Sequence, residues 1–231
     1  MFRLLFRTIL WLFVASLGYL VLCKWMLPPV TLTQLSDRLQ GQSVQYQPVK
    51  WDAISPEMKL AVIASEDQLF PDHKGFDWKA VQESMDGQRS GKGGTRPAGA
   101  AASTISQQVA KNVFLWQGTG WSRYVRKALE VPYTWLIETL WGKKRILEVY
   151  LNVAQTGTGI YGVEAASQLY FGKLARQLSG NEAARIAAAL PNPVRYTVQP
   201  LSSYVKRRSD WILRQMNNLR GYPEVKKLVT D

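Results

Sequence analysis

The chain opens on an apolar run. Residues 8–23 read TILWLFVASLGYLVLC without a charge, and apolar character continues past Lys24 to Leu27. A membrane span needs roughly 20 mainly apolar residues, so a stretch starting at Leu4 or Arg7 is long enough. With no polar face, it does not read as an amphipathic core helix. Arg3, Arg7 and the amino terminus precede the run. The positive-inside tendency then leaves the N-terminus in the cytoplasm and the remainder outside. Lys24 and Trp25 suit the outer interface. A cleaved signal peptide fits less well, because the run is long and no small-x-small site follows it. Residues 1–27 are thus expected to be a single transmembrane anchor.

Pro28-Pro29 ends that helix, and residues 28–47 read as a linker, with a short helix or linker at 31–40 and an extended segment at 46–51. Ser55-Pro56-Glu57 starts a helix, with a serine cap and proline in the first turn. That helix turns Met58, Leu60, Ala61, Ile63 and Ala64 inward and delivers Glu66 near its end. Helical patterning returns at 78–85, and at 103–114 with Ser103 as the cap. It returns again at 121–141 with Pro132 as a local irregularity, and at 143–151, 163–171, 180–190 and 204–219. Residues 86–101, DGQRSGKGGTRPAGAA, carry no large apolar side chain and read as a mobile loop. No run alternates long enough to demand a sheet. The soluble part is expected to be one mainly α domain over 48–231, without internal repeats.

Composition narrows the chemistry. The chain of 231 residues carries a formal charge of +12. Only Arg3, Arg7 and Lys24 fall in residues 1–27, so most of that excess belongs to the domain. A balance this basic favours polyanions or phosphorylated substrates. The single cysteine, Cys23, lies in the apolar run, which excludes an intramolecular disulfide and a cysteine nucleophile in the soluble part. With one histidine, His73, the usual zinc sites are excluded, and a Ser-His-Asp triad would have to use His73.

Three polar blocks then stand out. Glu66-Asp67-Gln68-Leu69-Phe70 is followed by His73, Gly75 and Asp77. Glu66, leaving an apolar helix, meets limited hydration, which raises a carboxylate's pKa and makes it a better base. The bland account is a helix-end acid paired with Lys74 or Lys79. Ser103-Thr104-Ile105-Ser106-Gln107-Gln108-Val109-Ala110-Lys111-Asn112 offers hydroxyls and free N–H groups at a helix start, a natural place for an anion. Ser103, Gln107 and Lys111 are roughly aligned along it. A solvated face would explain this block equally well. Arg126-Lys127-Ala128-Leu129-Glu130 puts both cations on the face of Glu130, and alone reads as a surface salt bridge. His73 fits a hydrogen-bonded structural role better than that of a metal ligand or proton carrier.

The order and wording of these blocks resemble the family 51 peptidoglycan glycosyltransferases of the monofunctional, membrane-anchored kind. The resemblance runs from about residue 48 to 216. It includes Leu147-Glu148-Val149-Tyr150-Leu151-Asn152 and the glycine turns at Gly157, Gly159 and Gly162. It departs from the pattern at Gly99-Ala100-Ala101-Ala102, Pro132 and Gly142. What it implies is a lysozyme-like, two-lobed catalytic domain preceded by one transmembrane helix, in the bacterial inner membrane with the catalytic domain outside. It also implies lipid II and a growing glycan chain as substrates. Glu66 and Glu130 are then the catalytic pair. Asp67, Phe70, Ser103, Thr104, Gln107, Gln108, Lys111, Asn112, Arg126 and Lys127 bind substrate. Glu66 deprotonates the acceptor hydroxyl, and Lys111, Arg126 and Lys127 stabilise the departing pyrophosphate.

No cofactor is required and no metal site is evident, although a divalent cation, Mg or Mn, could reinforce the basic side chains. Expected partners are membrane lipid and the proteins of cell-wall synthesis or division, not nucleic acid. Two other readings stay open: a lytic transglycosylase or lysozyme-type muramidase acting on finished glycan, and a membrane-tethered binder of polyanions.

Overall fold

The computed structural model describes residues 2–78, 82, 103–118 and 120–230. Most of the helix expected at 78–85 and all of the glycine-rich loop at 86–101 fall outside them. The described residues are mainly helical. In chain order the helices are α1 (Phe2–Leu22), α2 (Leu32–Leu39), α3 (Pro56–Glu66), α4 (Ile105–Phe114), α5 (Ser122–Leu140), α6 (Lys143–Val153), α7 (Val163–Phe171), α8 (Gly180–Ala189), α9 (Ser203–Leu219) and α10 (Pro223–Thr230).

The centre of the domain is α3. Ser55 accepts a hydrogen bond from the Met58 N–H and Pro56 opens the first turn, as the sequence suggested. Every residue of α3 from Met58 to Ser65 is buried. This follows from its position: α8 and α9 both pack on it, and on each other. The α8 face is alanine, with Ala183, Ala184, Ala187, Ala188 and Ala189 all buried, and these small side chains let the helices approach closely. Lys59 is the one cation inside α3. Its ammonium lies 3.8 Å from the centre of the Trp51 ring, and burial lowers its pKa to about 8.

A second layer, α4 with α5 and α6, forms the other side. Pro132 lies within α5 without ending it. A small sheet, ordered β1–β3–β2, was not foreseen. Its strands β1 (Gln45–Tyr46), β2 (Gln155–Gly157) and β3 (Ile160–Tyr161) are too short to show alternation. β1 pairs in parallel with β3, which ties residues 45–46 to the domain. The segment read as a linker is structured elsewhere too: Thr31 and Gln34 cap α2 in a reciprocal capping box, and the Tyr161 hydroxyl donates to Asp37 at 2.6 Å.

The C-terminal end of α1 is fastened to the domain. Leu20 and Cys23 are buried. The Leu20 carbonyl accepts from the Trp141 indole at 3.0 Å. The Cys23 carbonyl accepts from both Nε and Nη2 of Arg145, at 3.0 and 2.8 Å. Leu10, Trp11, Leu12, Phe13 and Val14 are exposed. Among the described residues, no helix is long and apolar enough to cross a membrane, so the expected span is not shown.

Candidate active site

Glu66 ends α3 and is only partly open to solvent. Its Oε2 accepts from the Gln108 amide Nε2 at 2.9 Å, and its Oε1 accepts from the Ser65 hydroxyl at 3.3 Å. Lys74 is not among these partners, and Lys79 lies outside the described residues. Burial pushes the Glu66 carboxyl above its ordinary value; Gln108, the charge of Arg208 and Ser65 oppose that rise without cancelling it. Arg208, from α9, holds the end of α3 through a hydrogen bond from Nη2 to the Ser65 carbonyl at 3.3 Å.

Glu130, inside α5, is 2% exposed. Arg126 and Lys127 both pair with it, the Lys127 ammonium at 2.8 Å from Oε2. Lys127 also donates to the Ser103 hydroxyl at 3.1 Å, which links α5 to the start of α4. Between these helices lies a cleft of about 370 Å³. Lys111, Arg123, Arg126 and Lys127 line it, with Glu130 as the acid among its lining residues. Lys111 is lowered from the usual lysine range, first by burial and then by the neighbouring Arg126 charge, with Glu130 and Glu66 acting in the opposite direction. Lys111 therefore lies within electrostatic reach of both acids. The Arg126 Nε is buried and has no hydrogen-bond partner among the described residues. An anion in the cleft would satisfy it and would meet the excess of positive charge.

Of the residues singled out from the sequence, Ser103, Gln107, Gln108, Lys111, Arg126, Lys127 and Glu130 line this cleft. Glu66 joins it through Gln108. Asp67, Phe70 and Thr104 sit beneath as support. The Asp67 carboxylate accepts from His73 Nε2 at 3.0 and 2.9 Å and from the Ile105 N–H at 3.0 Å, at the first turn of α4. His73 Nδ1 accepts from the Gly75 N–H at 3.1 Å, so Nε2 carries the ring proton and donates. His73 is thereby held in a structural role. Phe70 is fully buried, with the Lys143 ammonium over its ring.

The α4 cap is Thr104, not Ser103. The Thr104 hydroxyl accepts from Gln107 N–H and donates to the Gly75 carbonyl at 2.7 Å, and Gln107 Oε1 accepts from Thr104 N–H. Gly75 has φ +88, and a Cβ there would meet Thr134 at 2.8 Å. Asn112 is half-buried and is not among the lining residues.

Sequence reasoning missed Arg123 and Tyr124, which line the cleft; Arg123 precedes Arg126 by three and Lys127 by four, a helical-face signal that was available. It also missed Tyr150 and Arg208, whose contacts are long-range. Among the described residues, no group of three His, Cys, Asp or Glu side chains could hold a metal ion. The Glu130 carboxylate is already engaged by two cations, so the lining residues do not fit a divalent ion.

A mainly helical domain that sets a partly buried carboxylate beside a cation-lined cleft is the class this arrangement defines. A family profile described as "Transglycosylase" matches residues 32–217. The chain is 52% identical over 185 residues to a biosynthetic peptidoglycan transglycosylase of Mannheimia succiniciproducens, covering 80% of this chain and 72% of the relative. Relatives of the same name from Shewanella oneidensis and Pseudomonas aeruginosa are 45% and 43% identical. They cover 98% and 96% of this chain, and 95% and 94% of their own lengths. The chain belongs to this transglycosylase family and is a peptidoglycan glycosyltransferase.

Proposed function

We propose that the enzyme extends glycan chains by inverting transfer from a lipid-pyrophosphate-linked glycan to the 4-hydroxyl of lipid II, forming a β-1,4 link. Glu66 takes the proton from the acceptor hydroxyl as that oxygen attacks the anomeric carbon of the donor. The bond to the pyrophosphate breaks, and its electrons leave with the lipid pyrophosphate. Lys111, Arg126 and Lys127 meet the negative charge that develops there, and Glu130 holds the two α5 cations in place. The observation that carries this reading is the pairing of a raised-pKa carboxylate with a cation-lined cleft whose Arg126 Nε lacks a partner among the described residues. A hydrolase of finished glycan has no comparable need for clustered cations.

α1 is proposed as the membrane anchor, with a cytoplasmic N-terminus and the catalytic domain outside the inner membrane. The exposed apolar side chains from Leu10 to Val14 support lipid as its surroundings. Trp121 and Trp135, also exposed, suit the headgroup level. An anchored cleft meets its lipid substrate at high effective concentration.

The test compares polymerisation of labelled lipid II by wild type and Glu66→Gln, beside release of muropeptides from purified cell wall. Polymerisation that Glu66→Gln abolishes, without muropeptide release, is expected. A near-normal rate in Glu66→Gln removes Glu66 as the base, and muropeptide release without polymer would support the hydrolase.

A further inference from the structure

We propose that Tyr150 is a positioning residue for the transfer reaction: its hydroxyl orients the Gln108 amide so that the amide N–H, and not its oxygen, faces the Glu66 carboxylate. The inference rests on the reading of Glu66 as base. Gln108 is held at both ends. Its Nε2 donates to Glu66 Oε2 at 2.9 Å, and its Oε1 accepts from the Tyr150 hydroxyl at 3.2 Å.

The two ends of a carboxamide are nearly equal in shape, so packing alone does not choose between its orientations; the hydrogen bonds at each end do. An ionised carboxylate is acceptor-only. With the amide turned over, Gln108 Oε1 would face Glu66, an arrangement tolerated only when Glu66 carries a proton. A base must be unprotonated at the start of each turnover, and the observed amide orientation favours that form. Tyr150 opposes the flip from the far end.

Tyr150 is suited to the task. It stands on α6, is 1% exposed, and is set among core side chains. Burial, with the charges of Glu66 and Asp67, pushes its phenol well above the ordinary tyrosine value, so the hydroxyl keeps its proton and stays a donor. The other charged groups acting on Glu66 come from different elements. Arg208 of α9 favours its ionised form and Asp67, just beyond α3, disfavours it, while Lys111 of α4 interacts attractively with it. Tyr150→Phe removes one oxygen and leaves all three in place.

The experiment measures lipid II polymerisation across pH for wild type, Tyr150→Phe, Gln108→Leu, the double variant and Glu66→Gln, with thermal unfolding of each. Loss of one hydrogen bond of ordinary strength corresponds to a fall in kcat on the order of tenfold. Tyr150→Phe is expected to show that fall with little change in KM, and to move the acid limb of the profile to higher pH. In the Gln108→Leu background the same change should cost less than about twofold, because the link is already cut. A wild-type kcat and acid limb in Tyr150→Phe overturn the proposal. So does an equal cost in both backgrounds, or a loss that merely tracks the fraction unfolded at the assay temperature. Should Glu66→Gln keep near-normal activity, the base assignment fails and the proposal with it. If Glu66→Gln is inactive while Tyr150→Phe matches wild type, only the positioning role fails.

Discussion

At the end of α3, the Glu66 carboxylate is hydrogen-bonded to neutral donors, Gln108 and Ser65. Inside α5, the Glu130 carboxylate is gripped by two cations, Arg126 and Lys127. Both acids act on Lys111, yet their surroundings suit them to opposite work. An acid whose charge is penalised by burial gains from taking a proton. An acid locked into two ion pairs is held in its charged form by its partners, and on the proposed reading it serves by holding them where a substrate's charge will fall. The contrast comes from packing: α3 is buried against α8 and α9, while α5 keeps one face on the cleft and leaves Trp135 exposed.

The largest expected effect separates the two sites by activity. Glu66→Gln should lower the polymerisation rate by about 10²–10⁴-fold, the usual contribution of a general base. Its thermal stability should stay level or rise, since a buried charge is removed. Glu130→Gln should act on both quantities. It strands Arg126, whose side chain is 12% exposed, beside Lys111. Removing one partner of such a buried pair costs about 3 kcal/mol, and chemical denaturation would read this. If Glu130→Gln lost rate with no loss of stability, Glu130 would be a participant in proton transfer and the contrast would collapse.

The pH dependence sharpens the same comparison. The Glu66 pKa is raised above 4.5 in the folded protein, so between 4.5 and its folded value the native state binds the extra proton. Stability from this group is present below that window and lost as pH rises through it. Activity runs the other way, since the base must be ionised. The acid limb of kcat/KM should therefore lie above the ordinary carboxylate range. Wild type should lose stability relative to Glu66→Gln as pH climbs through the window. A limb near 4.5 would show that Glu66 is better hydrated than its packing implies.

Much of this was legible in the residues, and the exceptions share a cause. Ser55-Pro56 announced the start of α3, and the Gln108, Lys111 and Arg126-Lys127 blocks announced the cleft wall. The α4 cap was placed one residue early because Ser103 and Thr104 are adjacent hydroxyls. Only the fold sends one to Lys127 and the other to Gln107. Asp67 and Phe70 were given to the substrate by the resemblance alone; the fold engages Asp67 with His73 and the Ile105 N–H and buries Phe70, placements that no local pattern encodes. The roles of Tyr150 and Arg208 depend on partners 42 and 143 residues away, and no local spacing encodes such contacts.

The smallest effect tests whether the two α5 cations are equivalent. Arg126 is 12% exposed and keeps a buried Nε without a partner among the described residues, whereas Lys127 is 48% exposed and divides its donors between Glu130 and Ser103. An ion pair so open to water contributes roughly 0–1 kcal/mol, so Lys127→Ala should leave the unfolding midpoint nearly unchanged and slow polymerisation less than Arg126→Ala does. Arg126→Lys should not rescue Arg126→Ala fully, because an ammonium cannot reproduce the guanidinium fork. Equal rate losses in Lys127→Ala and Arg126→Ala would mean that the cleft uses total charge and not donor geometry. The ion pairs around Glu130 would then matter for their count of cations more than for where those cations are held.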